Sequence, residues 1–135
     1  MDNKNLFQKA KDLNLPIGKY ALFGSTPMGI RGLKECEDID IIVSEDLWSL
    51  YKSNPDWKFG KTENGSEFLA NGDVEFWHTW TPWYPNVDGL IAEAEIIDGL
   101  PFVRLEEVLS WKKAYAREKD FKDVEIIEKY LADLK

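Results

Sequence analysis

Apolar residues recur at helical spacing toward both ends of the chain and at strand spacing between them. Leu6, Ala10 and Leu13 are three or four residues apart, which predicts a short helix over residues 3–14. Similar spacing predicts helices over 45–53, 89–95, 105–116 and 120–134, and less distinctly over 26–36. The predicted apolar faces contain Leu47, Trp48, Leu50 and Tyr51 in the 45–53 helix and Phe121, Val124, Ile127 and Leu131 in the 120–134 helix.

Short apolar runs bounded by turn residues predict the strands of one sheet. They cover residues 20–23, 38–43, 66–70, 73–78, 95–97 and 100–103. Asn71-Gly72 lies between two alternating runs and is typical of a two-residue hairpin turn. Helices and strands together predict an α+β fold, a small mixed β-sheet flanked by helices.

Length and composition are typical of one folded domain. The 135 residues are enough for a single core, and 44% of them are hydrophobic. We expect a single domain over residues 1–135, with a core of about 17–104 and a C-terminal helical pair of about 105–134.

The charge balance disfavours nucleic acid as a partner. The chain has 17 basic and 25 acidic residues, and its net charge of −8 repels a phosphate backbone. The single cysteine, Cys36, has no internal partner for a disulfide, as is typical of a reducing compartment. Because no apolar stretch is long enough for secretion or for a membrane span, we expect a cytoplasmic protein without a membrane partner.

Two aspartates at the start of an apolar strand are the first candidate for chemistry. Asp38 and Asp40 are two residues apart, so their side chains point to the same face, about 6.6 Å apart along the strand. Such carboxylates repel each other unless a positive charge lies between them. A divalent cation such as Mg²⁺ would supply that charge, whereas the alternative is an ordinary strand end wetted by two surface acids.

A glycine-serine turn precedes the aspartates. The strand 20–23 ends at Gly24-Ser25, and Gly29 follows four residues after the serine. A turn of this kind leads into a helix N-terminus, where backbone N–H groups and a hydroxyl approach phosphate oxygens. An ordinary tight turn is the alternative. Together with the acid pair, the turn favours a site for a metal and a nucleotide.

Two stretches of the chain resemble the polymerase-beta-like nucleotidyltransferase superfamily. One is FGSTPMGIRGLKECEDIDIIV, with an apolar strand, Gly-Ser, a glycine four residues on, and Asp-x-Asp opening a second apolar strand. The other is LPFVRLEEVLSWKKAYAREKDFKDVEIIEKYL, which is similar to the tail of small bacterial and archaeal members. The resemblance implies a minimal nucleotidyltransferase fold. It also implies transfer of a nucleoside monophosphate from an NTP to a hydroxyl acceptor, with two Mg²⁺ ions or Mn²⁺ supporting in-line attack.

The resemblance also assigns roles to residues. Gly24 and Ser25 match the phosphate turn, and Asp38 and Asp40 match the catalytic metal ligands. A third acid is expected on a neighbouring strand. Asp73 and Glu75 are both candidates, and Glu75 is preferred because it lies deeper in its strand, where it could also act as general base.

Basic residues are the remaining candidates for nucleotide binding. Lys112 and Lys119 match basic positions of the family tail, and Arg31 closely follows the glycine turn. Each could neutralise phosphate, or simply lie on a solvated surface. Glu118 stands where the family often has proline, which makes the comparison of the tail less close.

The aromatic loop and the one histidine carry weaker signals. The segment 77–84, at the end of the predicted 73–78 strand and in the loop after it, contains Trp77, Trp80, Trp83 and Tyr84, which could stack a nucleobase but more often pack in a core. His78 follows an aromatic strand, and packing rather than metal ligation is the expected role.

The sequence leaves the acceptor open. ATP is the expected donor, and the acceptor could be a protein hydroxyl, a small molecule or, less favoured by the charge, an RNA end. A chain of this size leaves little room for an acceptor domain, so a homodimer or a partner protein could complete the site. Two alternatives remain: a catalytically silent binding module such as an antitoxin-like partner, and phosphohydrolysis at the same metal site.

The phosphate-turn hypothesis predicts a specific effect of Ser25→Leu. A bulky side chain there should weaken nucleotide binding with little change in melting temperature, because the residue lies at a turn. Calorimetric titration with a non-hydrolysable NTP, paired with thermal unfolding, measures both quantities. Equal nucleotide affinity in the variant and the wild type would remove the hypothesis.

Overall fold

Seven strands form one mixed sheet with helices on both faces in the computed structural model, which describes residues 3–134. The strands are β1 (Tyr20–Phe23), β2 (Ile39–Val43), β3 (Lys58–Lys61), β4 (Glu67–Asn71), β5 (Val74–Trp77), β6 (Glu95–Ile97) and β7 (Leu100–Phe102). The helices are α1 (Asn3–Asp12), α2 (Thr26–Gly29), α3 (Glu45–Lys52), α4 (Asp88–Ala92), α5 (Leu105–Tyr115) and α6 (Glu118–Asp133). The predicted fold class is therefore confirmed.

Strand β2 lies at the centre of the sheet, whose order is β3-β4-β5-β2-β1-β7-β6. It pairs antiparallel with β1 and parallel with β5. In this register Asp40 lies between Phe23 of β1 and Glu75 of β5. The pairing thus brings together the end of the first strand, the acid pair and the hairpin.

Alternation along the central strands divides the apolar residues between two cores. Tyr20 and Leu22 of β1 face one core, which helices α1 and α3 cover. Ala21 and Phe23 face the other, which α4, α5 and α6 cover. Because successive strand residues point to opposite faces, a sheet covered on both sides needs apolar residues at nearly every central position.

Strand β3 was not predicted. Its sequence is Lys-Phe-Gly-Lys, and Phe59 is 51% exposed, so no buried alternation marks it. It is an edge strand, where lysines discourage pairing with other chains. Gly60 leaves room for the ring of Phe68 on β4, which a Cβ atom at that position would strike.

The hairpin is present, but its turn is displaced by one residue from the prediction. Asn71 pairs with Val74, so the two-residue loop is Gly72-Asp73 rather than Asn71-Gly72. Gly72 has φ +60°, as the first position of a type II′ turn requires. Asp73 consequently belongs to the turn, while Glu75 lies within β5.

Helix predictions were correct in place but not in every buried face. The helical part of 26–36 is only α2, and the remainder of that segment is turn and irregular chain. Leu50 and Phe121 were expected on apolar faces, yet they are 64% and 58% exposed. In α6 the buried face begins with Asp120 and Asp123 instead, two charged residues that the periodicity of apolar residues could not reveal.

No helix within the described range is both long and apolar enough to cross a membrane.

Two phenylalanines that differ in burial should contribute differently to the free energy of unfolding. Phe76 is fully buried and stacks on Trp57 at 4.3 Å between ring centroids, so Phe76→Ala should lower the free energy of unfolding by about 3–5 kcal/mol. Phe121→Ala is the matched control and should change it by no more than about 0.5 kcal/mol. Chemical denaturation measures both values. A large loss for Phe121→Ala would show that α6 buries this residue after all.

Candidate functional site

A cavity of about 330 Å³ opens where β1 ends. Its lining includes every predicted site residue except one, namely Gly24, Ser25, Asp38, Asp40, Glu75, Lys112 and Lys119. Arg31 is the exception. Its guanidinium pairs with Glu95 of β6 and donates to the carbonyl oxygen of Pro27, so the structure does not bring it to the cavity.

Asp40 and Glu75 form the acidic centre of the cavity. The parallel register of β2 and β5 places them side by side, and their carboxyl groups lie close enough for each to affect the other electrostatically. Trp77 Nε1 also donates to Asp40 Oδ1 at 3.2 Å. Burial raises the pKa of Asp40 well above its usual range, and the neighbouring charges of Asp38 and Glu75 raise it further. The carboxyl group of Asp40 therefore favours its protonated form more than an ordinary aspartate does.

The third carboxyl belongs to Asp38, which immediately precedes β2. Partial burial raises its pKa, as do the charges of Glu37 and Asp73, against a smaller opposing effect of Lys119. Asp73, the other sequence candidate for the third acid, does not line the cavity. It pairs with Lys9 of α1 at 2.7 Å, so Glu75 is the carboxylate that the structure places beside the aspartates.

The turn after β1 requires glycine for two reasons. Gly24 has φ +61°, a left-handed conformation that side chains disfavour. In addition, a Cβ atom at this position would strike the carboxylate of Asp40. The next residue, Ser25, caps α2, and its hydroxyl makes no hydrogen bond within residues 3–134. Thr26 stabilises the turn, because its Oγ1 donates to the Phe23 carbonyl at 2.6 Å.

The basic side of the cavity is a buried ion-pair network between α5 and α6. Lys112 is only 3% exposed, and its Nζ contacts Asp123 Oδ2 at 3.0 Å and Asp120 Oδ1 at 3.5 Å. Arg117 forms a two-point contact with Asp120 at 2.7 and 3.0 Å. Lys34, from the segment before β2, reaches Asp123 Oδ2 at 2.6 Å. Lys112 is thus a paired buried cation rather than a free surface lysine.

The network holds both of its aspartates ionised. Burial by itself would raise the pKa of Asp120, but hydrogen bonds from Arg117 and the charge of Lys112 outweigh it and lower that pKa. For Asp123, burial is likewise outweighed by hydrogen bonds from Lys34 and Lys112, which lower its pKa. This basic side is therefore the electrostatic opposite of the uncompensated acids around Asp40.

Aromatic side chains form one wall of the cavity, and they include Trp77, Trp80, Trp83, Trp111 and Tyr115. Trp111 packs against Phe23 and Trp80 with ring centroids 5.3 and 5.2 Å apart. Its indole Nε1 is buried and has no hydrogen-bond partner within the described chain. Arg117 lies over the Tyr115 ring at 3.9 Å. The wall combines flat apolar faces with a cation, as in many sites for planar ligands.

Two residues of the aromatic stretch lie elsewhere. Tyr84 is not part of the cavity lining, and its hydroxyl donates to Glu107 Oε2 at 2.7 Å. His78 stacks on Trp48 at 3.9 Å between ring centroids, and its ring nitrogens contact Glu45 and Glu67. The packing role expected for the histidine agrees with this position.

Sequence reasoning missed several residues of the lining, namely Lys34, Thr62, Asn64, Ser66, Thr81, Trp111, Tyr115 and Asp123. Trp111 and Tyr115 carried one usable signal, because they are four residues apart on a predicted helix and flank Lys112. The hydroxyl residues of the β3–β4 loop carried no such signal. Their contact is with Thr81, which comes from a later segment of the chain, so no local pattern links them to the cavity.

The donor set suits a hard divalent cation. Mg²⁺ favours oxygen ligands and commonly takes one or two carboxylates together with substrate phosphates and water. Asp38, Asp40 and Glu75 supply such oxygens at one end of the cavity. Within residues 3–134, however, no group of three or more His, Cys, Asp or Glu side chains is arranged so that it could hold a metal ion by itself. The carboxylates fit a metal whose coordination the substrate completes.

Comparison with solved structures shows which fold this is. A protein from Thermotoga maritima, provisionally described as a nucleotidyltransferase, superposes with a TM-score of 0.53 at 17% identity, over 98% of this chain and 96% of that one. The aminoglycoside nucleotidyltransferase ANT(2")-Ia, in complex with adenylyl-2"-tobramycin, also gives 0.53, at 14% identity over 95% and 86%. No protein-family model and no curated protein matches the chain. The nucleotidyltransferase fold that the sequence predicted is confirmed.

The ion-pair network predicts a loss of stability at low pH. Because the pKa of Asp120 is lowered on folding, its contribution is complete above about pH 3.9, the ordinary value for aspartate, and is lost as the pH falls through the lowered folded-state value. Asp120→Asn should cost about 3 kcal/mol at neutral pH, since it leaves Lys112 and Arg117 underpaired.

Denaturant titrations at pH 7 and between pH 3 and 5 measure this effect. The variant should lose less stability than the wild type as the pH is lowered. Asp133→Asn, an exposed change near the end of the same helix, is the control and should follow the wild type. Equal stability of Asp120→Asn and wild type at pH 7 would contradict the network's role.

Proposed function

We propose that this protein is a Mg²⁺-dependent nucleotidyltransferase, which moves a nucleoside monophosphate from an NTP to a hydroxyl acceptor. The observation that carries the proposal is the convergence of three carboxyls with the Gly24-Ser25 turn in one cavity. Asp40 lies in β2, Asp38 immediately precedes that strand, and Glu75 lies in β5 beside it, and together they would supply oxygen donors of the kind that phosphoryl and nucleotidyl transfer use.

The solved structures with the same fold support the nucleotide part of the proposal. One of them, ANT(2")-Ia, is in complex with an adenylylated aminoglycoside, in which an adenylyl group is joined to a small hydroxyl-bearing molecule. We infer that the cavity of the present chain takes an NTP, with ATP as the first candidate. The acceptor is any compound or macromolecule that offers a hydroxyl at the open side of the cavity.

The phosphate chain would lie between the turn and the basic side of the cavity. Gly24 allows close approach of a phosphate, because it carries no side chain beside Asp40. The unpaired hydroxyl of Ser25 is free to donate to a phosphate oxygen. Lys112 and Lys119 line the same cavity and contribute positive charge to it. Arg31 has no part in the proposed site.

A side chain of the cavity can also accept the proton that the acceptor hydroxyl loses. In the transfer, the acceptor oxygen bonds to the α-phosphorus, the bond to pyrophosphate breaks, and the hydroxyl proton passes to a base. Glu75 is the proposed base, since it lines the cavity next to Asp40. The aromatic wall would exclude water and present flat faces to the nucleobase.

Two Mg²⁺ ions, or Mn²⁺ in their place, would be held by Asp38, Asp40 and Glu75, and would neutralise charge on the phosphates and on the attacking oxygen. Each of these carboxylates lacks an ion pair of its own within residues 3–134, so a cation would find them unneutralised. Metal binding requires deprotonated ligands, so the raised pKa of Asp40 should make metal binding weaker at low pH.

A thermal-shift matrix tests the binding part of the proposal. Wild type and Asp40→Asn are melted with and without Mg²⁺ and a non-hydrolysable NTP. We expect a joint shift from metal and nucleotide in the wild type and none in the variant. Without ligand the variant should be at least as stable, because the substitution removes a charge that burial disfavours.

Asp73→Asn is the matched control, since it changes the rejected acid of the same hairpin and leaves the cavity intact. It should keep the joint shift. Radiolabelled NTPs incubated with Mg²⁺ and a cell lysate then test transfer, which Asp40→Asn should abolish and Asp73→Asn should retain. Identical shifts in wild type and Asp40→Asn would overturn the proposal, and binding without any transfer would point to the silent module.

A further inference from the structure

Two lysines from distant parts of the chain converge on one carboxylate oxygen. Asp123 Oδ2 contacts Lys34 Nζ at 2.6 Å and Lys112 Nζ at 3.0 Å. The two ammonium groups are therefore closer to each other than the sum of these distances. Like charges held this close repel, so the arrangement is stable only with enough negative charge nearby.

The buried network does not supply enough negative charge by itself. Lys34, Lys112 and Arg117 are its cations, and Asp120 and Asp123 are its only carboxylates within residues 3–134. One positive charge is left over. It remains at the cavity wall, because all three cations also line the cavity. A buried or half-buried surplus charge is costly until an anion compensates it.

Lys34 is held in place from its backbone. Asn3 Nδ2 donates to the Lys34 carbonyl at 2.7 Å, and Asn3 Oδ1 accepts from the Cys36 N–H at 2.7 Å. These bonds anchor the irregular segment between the Gly24-Ser25 turn and the acid pair. Its lysine therefore points to the cavity from a defined position rather than from a free loop.

We propose that Lys34 and Lys112 together bind one phosphate group of the polyphosphate chain, with the Ser25 hydroxyl as a third donor. Lys34 thus joins the site as a binding residue that neither the motif nor the family tail indicates. The inference rests on the proposed function for the identity of the natural ligand. The convergence of the two lysines is observed independently of that function, and the surplus positive charge of the network supports an anion as their ligand.

Inorganic tripolyphosphate without metal is the probe, because it tests the lysines apart from the acids and the nucleobase. Calorimetric titration should give a dissociation constant about ten- to a hundredfold weaker for Lys34→Gln than for wild type, the effect of one charge-assisted hydrogen bond. Lys34→Arg should recover much of the affinity. Lys122→Gln, on α6 beside the neighbouring groove but outside the cavity, should bind as wild type does.

A measurement on the unaltered protein covers the case in which Lys34→Gln folds poorly. Acetylation of lysine amines followed by mass spectrometry should show that tripolyphosphate protects Lys34, which is 33% exposed, and leaves Lys122 reactive. Equal affinity of Lys34→Gln and wild type would overturn the inference, as would the absence of protection at Lys34.

The outcomes separate this inference from the proposed function. If tripolyphosphate binds in a Lys34-dependent way but no NTP binds with Mg²⁺, the two-lysine site stands and the transferase proposal fails. If NTP binding and transfer occur with equal KM in wild type and Lys34→Gln, the transferase stands and the two-lysine site fails.

Discussion

The central constraint on this protein is the position of Asp40, a carboxylate on the middle strand of a sheet that is apolar on both faces. Strands β1 and β5 flank the middle strand, and each accommodates the Asp40 carboxylate in a different way. The chain after β1 turns with a glycine, because any side chain at Gly24 would strike the carboxylate. Strand β5 places Glu75 beside it in the register and the Trp77 indole where its Nε1 donates a hydrogen bond to the carboxylate. Without these accommodations the half-buried charge of Asp40 would be costly at the centre of the sheet.

The cavity separates charge into two halves that are stabilised in opposite ways. Around Asp40 the carboxyls have no basic partners in direct contact within residues 3–134, and burial raises the pKa of Asp40. Between α5 and α6 the cations and carboxylates form close ion pairs that lower the pKa of Asp120 and Asp123. A cation would favour the ionised carboxylates of the first half, and the network of the second half has one cation more than it has carboxylates. A metal-bound polyphosphate, the ligand that we propose, would complement both halves at once.

The aromatic wall connects the two halves to the core beneath them. Phe23 ends β1 and packs under Trp80 and Trp111, so the residue before the phosphate turn is part of the same cluster as the cavity wall. Changes in the packing of this cluster would therefore move the turn as well as the wall. The C-terminal helical pair is also part of the site, because Trp111, Lys112 and Arg117 reach the cavity from it.

The sequence by itself determined the local features of this protein. Apolar spacing located most helices and strands, because 3.6- and 2-residue periods depend only on neighbouring residues. The Gly-Ser turn and the Asp-x-Asp pair were recognisable for the same reason, and the resemblance correctly indicated the fold. The edge strand β3 was not predicted, because an exposed strand shows no alternation of buried and exposed residues.

Only the tertiary structure decided which distant residues meet. The turn at Gly72-Asp73 and the parallel register of β5 place Glu75, rather than Asp73, beside Asp40, and this placement depends on strand pairing rather than on either residue's neighbours. Arg31 pairs with Glu95 of a distant strand and lies outside the cavity, whereas Lys34 pairs with Asp123 of the last helix and lies at the cavity. These partners are between 64 and 89 residues apart in the chain. No local pattern encodes such pairings, because they form only once the sheet has brought the segments together.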